Sequence, residues 1–166
     1  MCIRDRSIDI LIPGRGAYCL AHLVLDVNGT VASGGRLIEG VSERLASISR
    51  TEIEIHWITA DTRGRQPARD EEMGWPAVRI AADDPRGEAE QKAAFVRNLG
   101  PEQVVAIGNG SNDAAMLREA VIGLAVLGPE GLALDALLAA DAVVPDILAG
   151  LDLLADPSRL TATLRK

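Results

Sequence analysis

Asp26 stands where an apolar run rich in β-formers, His22–Thr30 (HLVLDVNGT), breaks off into small and polar residues. A second run of the same kind, Val104–Asp113 (VVAIGNGSND), ends in Asn109, Asn112 and Asp113. Such runs read as buried parallel strands that open into a site at their carboxyl ends. A strand-end carboxylate beside a turn rich in backbone donors can attack a phosphoryl group and carry it as an acyl phosphate. Gly29 lets the backbone turn just after Asp26, and Thr30 offers a hydroxyl. Ser111 or Asn112 is placed to cap the helix that begins at Asp113. Ligand sites in open α/β sheets gather at strand carboxyl ends, so both runs are expected to face one crevice.

Alternating strands and helices must position these residues. Ile8, Ile10 and Ile12 alternate, Pro13–Gly16 supplies a turn, and Ala17–Leu25 returns as a second apolar run, which reads as a hairpin extension leading into the Asp26 strand. Val41, Leu45 and Ile48 have helical spacing, and Ile53–Thr59 reads as a strand. The stretch 64–73 is polar and weakly helical, and Ala77–Ala81 reads as a short strand. A helix over Glu88–Leu99 stops at Gly100-Pro101. Then come a strand Val104–Ile107, a helix Asn112–Ala120, a strand Ile122–Val126, a helix from Pro129-Glu130 to Ala139 and a strand Ala142–Val144. The tail is helical and restarts at Asp156-Pro157. This order predicts an α/β fold: a three-layer, mostly parallel Rossmann-like sheet covered on both faces.

Composition sets outer limits. With 166 residues, 48% hydrophobic and 25% charged, the chain suits one globular domain. A net charge of −7 argues against nucleic acid or an anionic membrane as partner. Tyr18, Trp57, Trp75 and Phe95 leave little for base stacking. No apolar run approaches the roughly 20 residues of a membrane span, so a cytoplasmic location is expected. Cys2 and Cys19 suggest no disulfide framework, and Cys19 is expected to pack as a small apolar residue. His22 and His56 lie in apolar runs with no carboxylate or cysteine at a useful spacing and read as structural. Residues Met1–Asp5 (MCIRD) match the in-frame translation of a common sequencing adaptor. Residues 1–6 are therefore read as a non-native tail, and 7–166 as a single domain.

DVNGT followed by GNGSNDAAML resembles the first and fourth motifs of the haloacid-dehalogenase-like superfamily, in particular the DKTGT and GDGxNDxxxL segments of P-type ATPases and their stand-alone soluble group. Ile55–Asp61 (IHWITAD) resembles the strand ending in TGD, and Glu88–Val96 (EAEQKAAFV) the helix that carries the family lysine. Gly123–Gly131 and Leu138–Val144 echo the ATPase stretch that reads GIAM…EAADIVL. The resemblance covers the chain from about Leu23 to its end. It implies catalytic roles for Asp26, Asn28, Thr59, Lys92 and Asp113, and phosphate contacts from Gly29, Thr30, Thr59, Ala60, Lys92 and Asn112. It also implies Mg²⁺ as cofactor, held by Asp26, the backbone carbonyl of Asn28 and the side chain of Asn109. Too few residues separate these motifs for a cap, so the expected core is capless and open unless a large substrate or a second copy of the chain covers it.

Two departures bear on activity. Phosphatases of this superfamily place a general acid–base Asp two residues after the nucleophile, where this chain has Asn28. An amide cannot exchange that proton, which removes a factor of roughly 10²–10⁴. Asn109 replaces a charged metal ligand. The expected function is therefore a Mg²⁺-dependent phosphohydrolase or ATPase-like enzyme working through an aspartyl-phosphate on Asp26, weak or specialised for good leaving groups. Its substrate would be a small phosphorylated compound or an acyl or anhydride phosphodonor. The alternative is a catalytically impaired relative that binds a phosphorylated ligand or a partner protein. A receiver-like phospho-acceptor has no counterpart of GNGSND.

Overall fold

The computed structural model describes residues 7–51, 53–60, 71, 74 and 76–166. Its elements run β1 (Ile8–Ile12), β2 (Gly16–Leu20), β3 (His22–Asp26), β4 (Ala32–Ser33), β5 (Arg36–Leu37), α1 (Val41–Ser49), β6 (Glu54–Thr59), β7 (Val78–Arg79) and α2 (Gly87–Leu99). They continue as β8 (Val104–Gly108), α3 (Ala114–Glu119), β9 (Ile122–Val126), α4 (Leu134–Ala139), β10 (Ala142–Val144), α5 (Ile147–Ala155) and α6 (Pro157–Leu164). The weakly helical stretch expected over 64–73 falls, Glu71 apart, outside the described residues.

Six strands form a parallel sheet in the order β10-β9-β8-β3-β6-β7. The chain leaves β3 toward β6 and β7, then crosses back to build β8, β9 and β10 on the other side. The direction of winding therefore switches between β3 and β8, where a crevice opens at the carboxyl ends. Both strands are buried along their whole length, as expected for the centre of a two-sided sheet.

Side-chain alternation divides the core in two. Leu23 and Leu25 of β3 join Val105 and Ile107 of β8 in a cluster with α1, α5, α6 and the β1–β2 hairpin. Val24, Ala106 and Ile58 face the other way, onto Val96 of α2 and Met116 and Leu117 of α3. On α1 the buried residues are Val41, Leu45 and Ile48, the spacing of one helical face. α5 begins at Asp146, which accepts the Ala149 N–H at 2.8 Å, and α6 at Asp156-Pro157, where Asp156 accepts the Ser158 N–H.

Some expectations need correction. The apolar run Ala17–Leu25 is two strands. β2 pairs antiparallel with β1, and the chain breaks at Ala21, whose N–H goes to Gln103 and whose carbonyl accepts from Glu54. Neither Ser111 nor Asn112 caps α3; a 3-10 turn over Ser111–Asp113 precedes it, with no side-chain cap on Asp113's own helix. The helix expected from Pro129 starts only at Leu134. Gly131 takes a φ of +88° there, and the Ala133 N–H is claimed by the Asn109 carbonyl at 2.9 Å. Cys19 is disulfide-bonded rather than packed as a free thiol.

Candidate active site

Asp26 is the last residue of β3, and side-chain parity places it on the same face as Val24, under α2. Lys92 lies near the middle of α2 and is 1% exposed, an unusual burial for a lysine. Its ammonium meets two carboxylates, Asp26 Oδ1 at 2.6 Å and Asp113 Oδ1 at 2.5 Å. Asp113 also accepts the backbone N–H groups of Asn109 and Gly110 on Oδ2, at 3.0 and 2.9 Å. Those bonds fix its second oxygen on the turn after β8 and leave the first for Lys92.

The Asp26 side closes through hydroxyls and amides. Thr30 Oγ1 lies 3.2 Å from Asp26 Oδ2 and 3.2 Å from Asn109 Oδ1, so its one proton serves either acceptor. The Asn109 amide nitrogen donates to the Gly131 carbonyl at 3.1 Å, which turns the amide oxygen toward Thr30. Asn28 Nδ2 donates to Thr59 Oγ1 at 3.2 Å, joining the exposed rim of the crevice to the end of β6. Gly29 has a φ of +83°, and a Cβ there would lie 2.7 Å from Asn109 Nδ2. Glycine is therefore required on both backbone and steric grounds.

Electrostatics follow from this packing. Burial pushes the Asp26 carboxyl up to about 7, with Asp113 adding to the rise and Lys92 and Thr30 opposing it. For Lys92 burial works against the charge, but the two carboxylates outweigh it and raise its pKa. With both carboxylates ionised the trio carries one net negative charge. The Asn109 amide oxygen adjoins the trio through the Thr30 hydroxyl.

Apart from Lys92, which reaches in from α2, the expected site residues lie at the carboxyl edge of the sheet or in the turns that follow it. Hydrogen bonds join Asp26, Thr30, Lys92, Asn109 and Asp113 in one network, and Asn28 to Thr59 in another. Ala60 follows β6 and is half-buried. Asn112 is engaged elsewhere: its amide donates to Glu88 Oε2 at 2.8 Å and ties the turn to the start of α2. Sequence reasoning missed Glu88, although it precedes Lys92 by one helical turn, and Gly131, for which no local signal exists. It also missed that His22 and His56 meet, at 3.2 Å, beside Glu54 at the other end of the same strands.

No family model matches the chain. The uncharacterized protein MJ0073 of Methanocaldococcus jannaschii is 45% identical over 64 residues, which are 39% of this chain and 69% of that protein. A solved structure described as a HAD superfamily (subfamily III A) hydrolase, from Legionella pneumophila, has a TM-score of 0.65 at 17% identity, over 86% of this chain and 87% of that one. The 3-deoxy-D-manno-octulosonate 8-phosphate phosphatase of Moraxella catarrhalis, solved with magnesium, phosphate and KDO, has a TM-score of 0.62 at 19% identity, over 88% and 94%. A zinc-transporting PIB-type ATPase in its E2.Pi state has a TM-score of 0.61 at 23% identity, over 76% of this chain and 20% of that one. Among the described residues no helix is long and apolar enough to cross a membrane. The chain belongs to the family of the archaeal protein MJ0073, and its fold is that of the haloacid-dehalogenase-like superfamily.

Proposed function

We propose that the crevice is a Mg²⁺-dependent phosphoryl-transfer site that works through an aspartyl-phosphate on Asp26. The observation that carries this reading is the buried Asp26–Lys92–Asp113 trio at the strand switch point. Asp26 would attack phosphorus, and the bond from phosphorus to the leaving oxygen would break. Lys92 and the Thr59 hydroxyl would hold the transferring oxygens, and Asp113 would keep Lys92 in place. Water would later cleave the acyl phosphate, returning Asp26 and inorganic phosphate.

The residues present fit Mg²⁺. Their donors are all hard oxygens, and the trio's surplus negative charge suits a divalent cation. Asp26, the Asn28 carbonyl and the Asn109 amide oxygen would hold it, and when bound it would neutralise charge on the phosphoryl oxygens. The magnesium and phosphate found with the Moraxella phosphatase, which shares this fold, support the choice.

Asn28 limits the chemistry. It cannot protonate a leaving group, so the favoured substrates are small acyl phosphates or phosphoanhydrides whose leaving groups depart as anions. Release from Asp26 would be slow for the same reason. With no cap between β3 and β6 among the described residues, the crevice would be open unless a large substrate or a second copy of the chain covers it. Molar mass measured with and without phosphodonor tests that cover.

The deciding experiment incubates the protein with Mg²⁺ and acetyl phosphate or ATP and looks for hydroxylamine-labile phosphate on the chain. Label that forms on the wild type and not on Asp26→Asn supports the enzyme. The engagement of both amides, Asn28 with Thr59 and Asn109 with Gly131, favours a second reading. In it the crevice binds a phosphorylated ligand without turning it over, and saturable binding with no label would select it.

A further inference from the structure

The geometry points to a transition-metal site at the amino edge of the sheet, formed by His22 Nδ1, His56 Nε2 and the Glu54 carboxylate. His22 and Glu54 pair across the starts of β3 and β6, and His56 lies two residues further along β6, on the same face as His22. One donor atom from each of the three residues can be chosen so that all lie within 4.8 Å of one another. The two ring nitrogens are 3.2 Å apart. Two nitrogens each about 2.0–2.1 Å from a tetrahedral ion would be separated by about 3.3 Å, so the rings already stand at coordination spacing.

The carboxylate is nearly in place. Glu54 Oε2 is 3.5 Å from His22 Nδ1, and Oε1 is 3.9 Å from His56 Nε2. Its side chain is 67% exposed and can swing, whereas those of His22 and His56 are 8% and 13% exposed and held by packing. The Phe95 ring meets His56 edge-on, with centroids 5.5 Å apart. A buried imidazole pair with one mobile carboxylate leaves a fourth position toward solvent. Two imidazoles and one carboxylate suit Zn²⁺, Co²⁺ or Ni²⁺, while Mg²⁺ requires oxygen ligands and keeps its waters. Binding needs the proton between the two imidazoles to leave to solvent.

This site is separate from the crevice. His22 and Asp26 are four residues apart on β3, about 13 Å along an extended strand. An ion here clips the starts of the two strands whose ends carry Asp26 and Thr59. Phe95, which packs on His56, is one helical turn from Lys92 on α2. The clip therefore steadies all three elements, β3, β6 and α2, that meet at the phosphoryl site.

The test uses the whole chain, freed of metal with a chelator and held in excess Mg²⁺ so that the crevice is occupied. Zn²⁺ is titrated by calorimetry, and Co²⁺ is followed by the visible bands of a tetrahedral ion. One Zn²⁺ should bind, and the melting temperature should climb with the logarithm of its concentration. His56→Gln and Glu54→Gln should each weaken binding by at least about tenfold, since even outer-shell partners of metal ligands are worth about 10–100-fold. Asp26→Asn should bind Zn²⁺ as the wild type does. No saturable Zn²⁺ uptake by the folded wild type would overturn the assignment and leave a hydrogen-bonded histidine pair. Unchanged affinity in Glu54→Gln and His56→Gln would overturn it too. If His56→Gln fails to fold, the exposed Glu54 decides alone.

Discussion

Two carboxylates share one ammonium in the crevice, and the protonation of Asp26 makes it measurable without any substrate. Its folded pKa of about 7 lies well above the ordinary value of 3.8. Below pH 4 the group is protonated in both the folded and the unfolded chain. Between pH 4 and pH 7 only the folded chain keeps the proton, so stability falls as pH rises through that window. Lys92, raised above an already high value, stays charged throughout and adds no slope there. Asp26→Asn should therefore abolish phosphoryl transfer and, without Mg²⁺, melt higher than the wild type at pH 8. The gain should shrink toward pH 4; a pH-independent difference in thermal melts would contradict the buried charge. Lys92→Met should do the reverse, destabilising by about 3–5 kcal/mol because two buried carboxylates lose their cation.

The two asparagines act on different steps. Asn109→Asp should tighten Mg²⁺ by about 1–2 kcal/mol through a charged oxygen, as read by calorimetry. Asn28→Asp should speed release of phosphate from Asp26 by up to about 10²–10⁴-fold and admit aryl or alkyl phosphates, as read by single-turnover kinetics. If the double variant stays folded and inert with every phosphodonor, the crevice is a binding site.

At the scale of elements, the site depends on how closely α3 and its turn dock on β8 and β9. Gly123 of β9 touches the end of α3: a Cβ there would lie 2.4 Å from the Leu117 carbonyl oxygen. Backbone cannot yield as a flexible side chain does, so Gly123→Ala should push α3 off the sheet. A loss of about 1–3 kcal/mol in urea unfolding is expected. Gly108 is as confined, with a Cβ 2.6 Å from Asp113 Cγ. Gly108→Ala should displace Asp113 from Lys92 and lower phosphoryl transfer more than it lowers the melting temperature.

For the whole molecule, the apolar core rather than the crevice metal is expected to hold the fold. The hydrophobic clusters on the two sheet faces hold the fold, and none of their members belongs to the Asp26–Lys92–Asp113 trio. Chelating Mg²⁺ should therefore stop phosphoryl transfer and leave the far-ultraviolet circular dichroism unchanged. Mg²⁺ at about 100 times its dissociation constant should stabilise by about 2.7 kcal/mol. For a chain of this size that is a rise of roughly 5–11 °C in melting temperature. A protein that unfolds on chelation would show that the metal is part of the core.

What the sequence determined was local. Runs of apolar residues ending in Asp26 and Asn109 marked buried strands and their open ends, because strand burial and strand termination both follow from neighbouring residues. Helical spacing over Val41–Ile48 and the Asp156-Pro157 pair marked helices for the same reason. Tertiary structure decided what depends on residues far apart in the chain. It split Ala17–Leu25 into two strands, because Ala21 bonds to Gln103 and Glu54. It delayed α4 to Leu134, because the backbone of Asn109 claims Ala133. It drew the Asn112 amide to Glu88. It brought His22, Glu54 and His56 together, because parallel pairing of β3 and β6 aligns positions 32 residues apart in sequence. Such contacts carry no periodicity for a sequence to display; they exist only once the sheet has chosen its order and register.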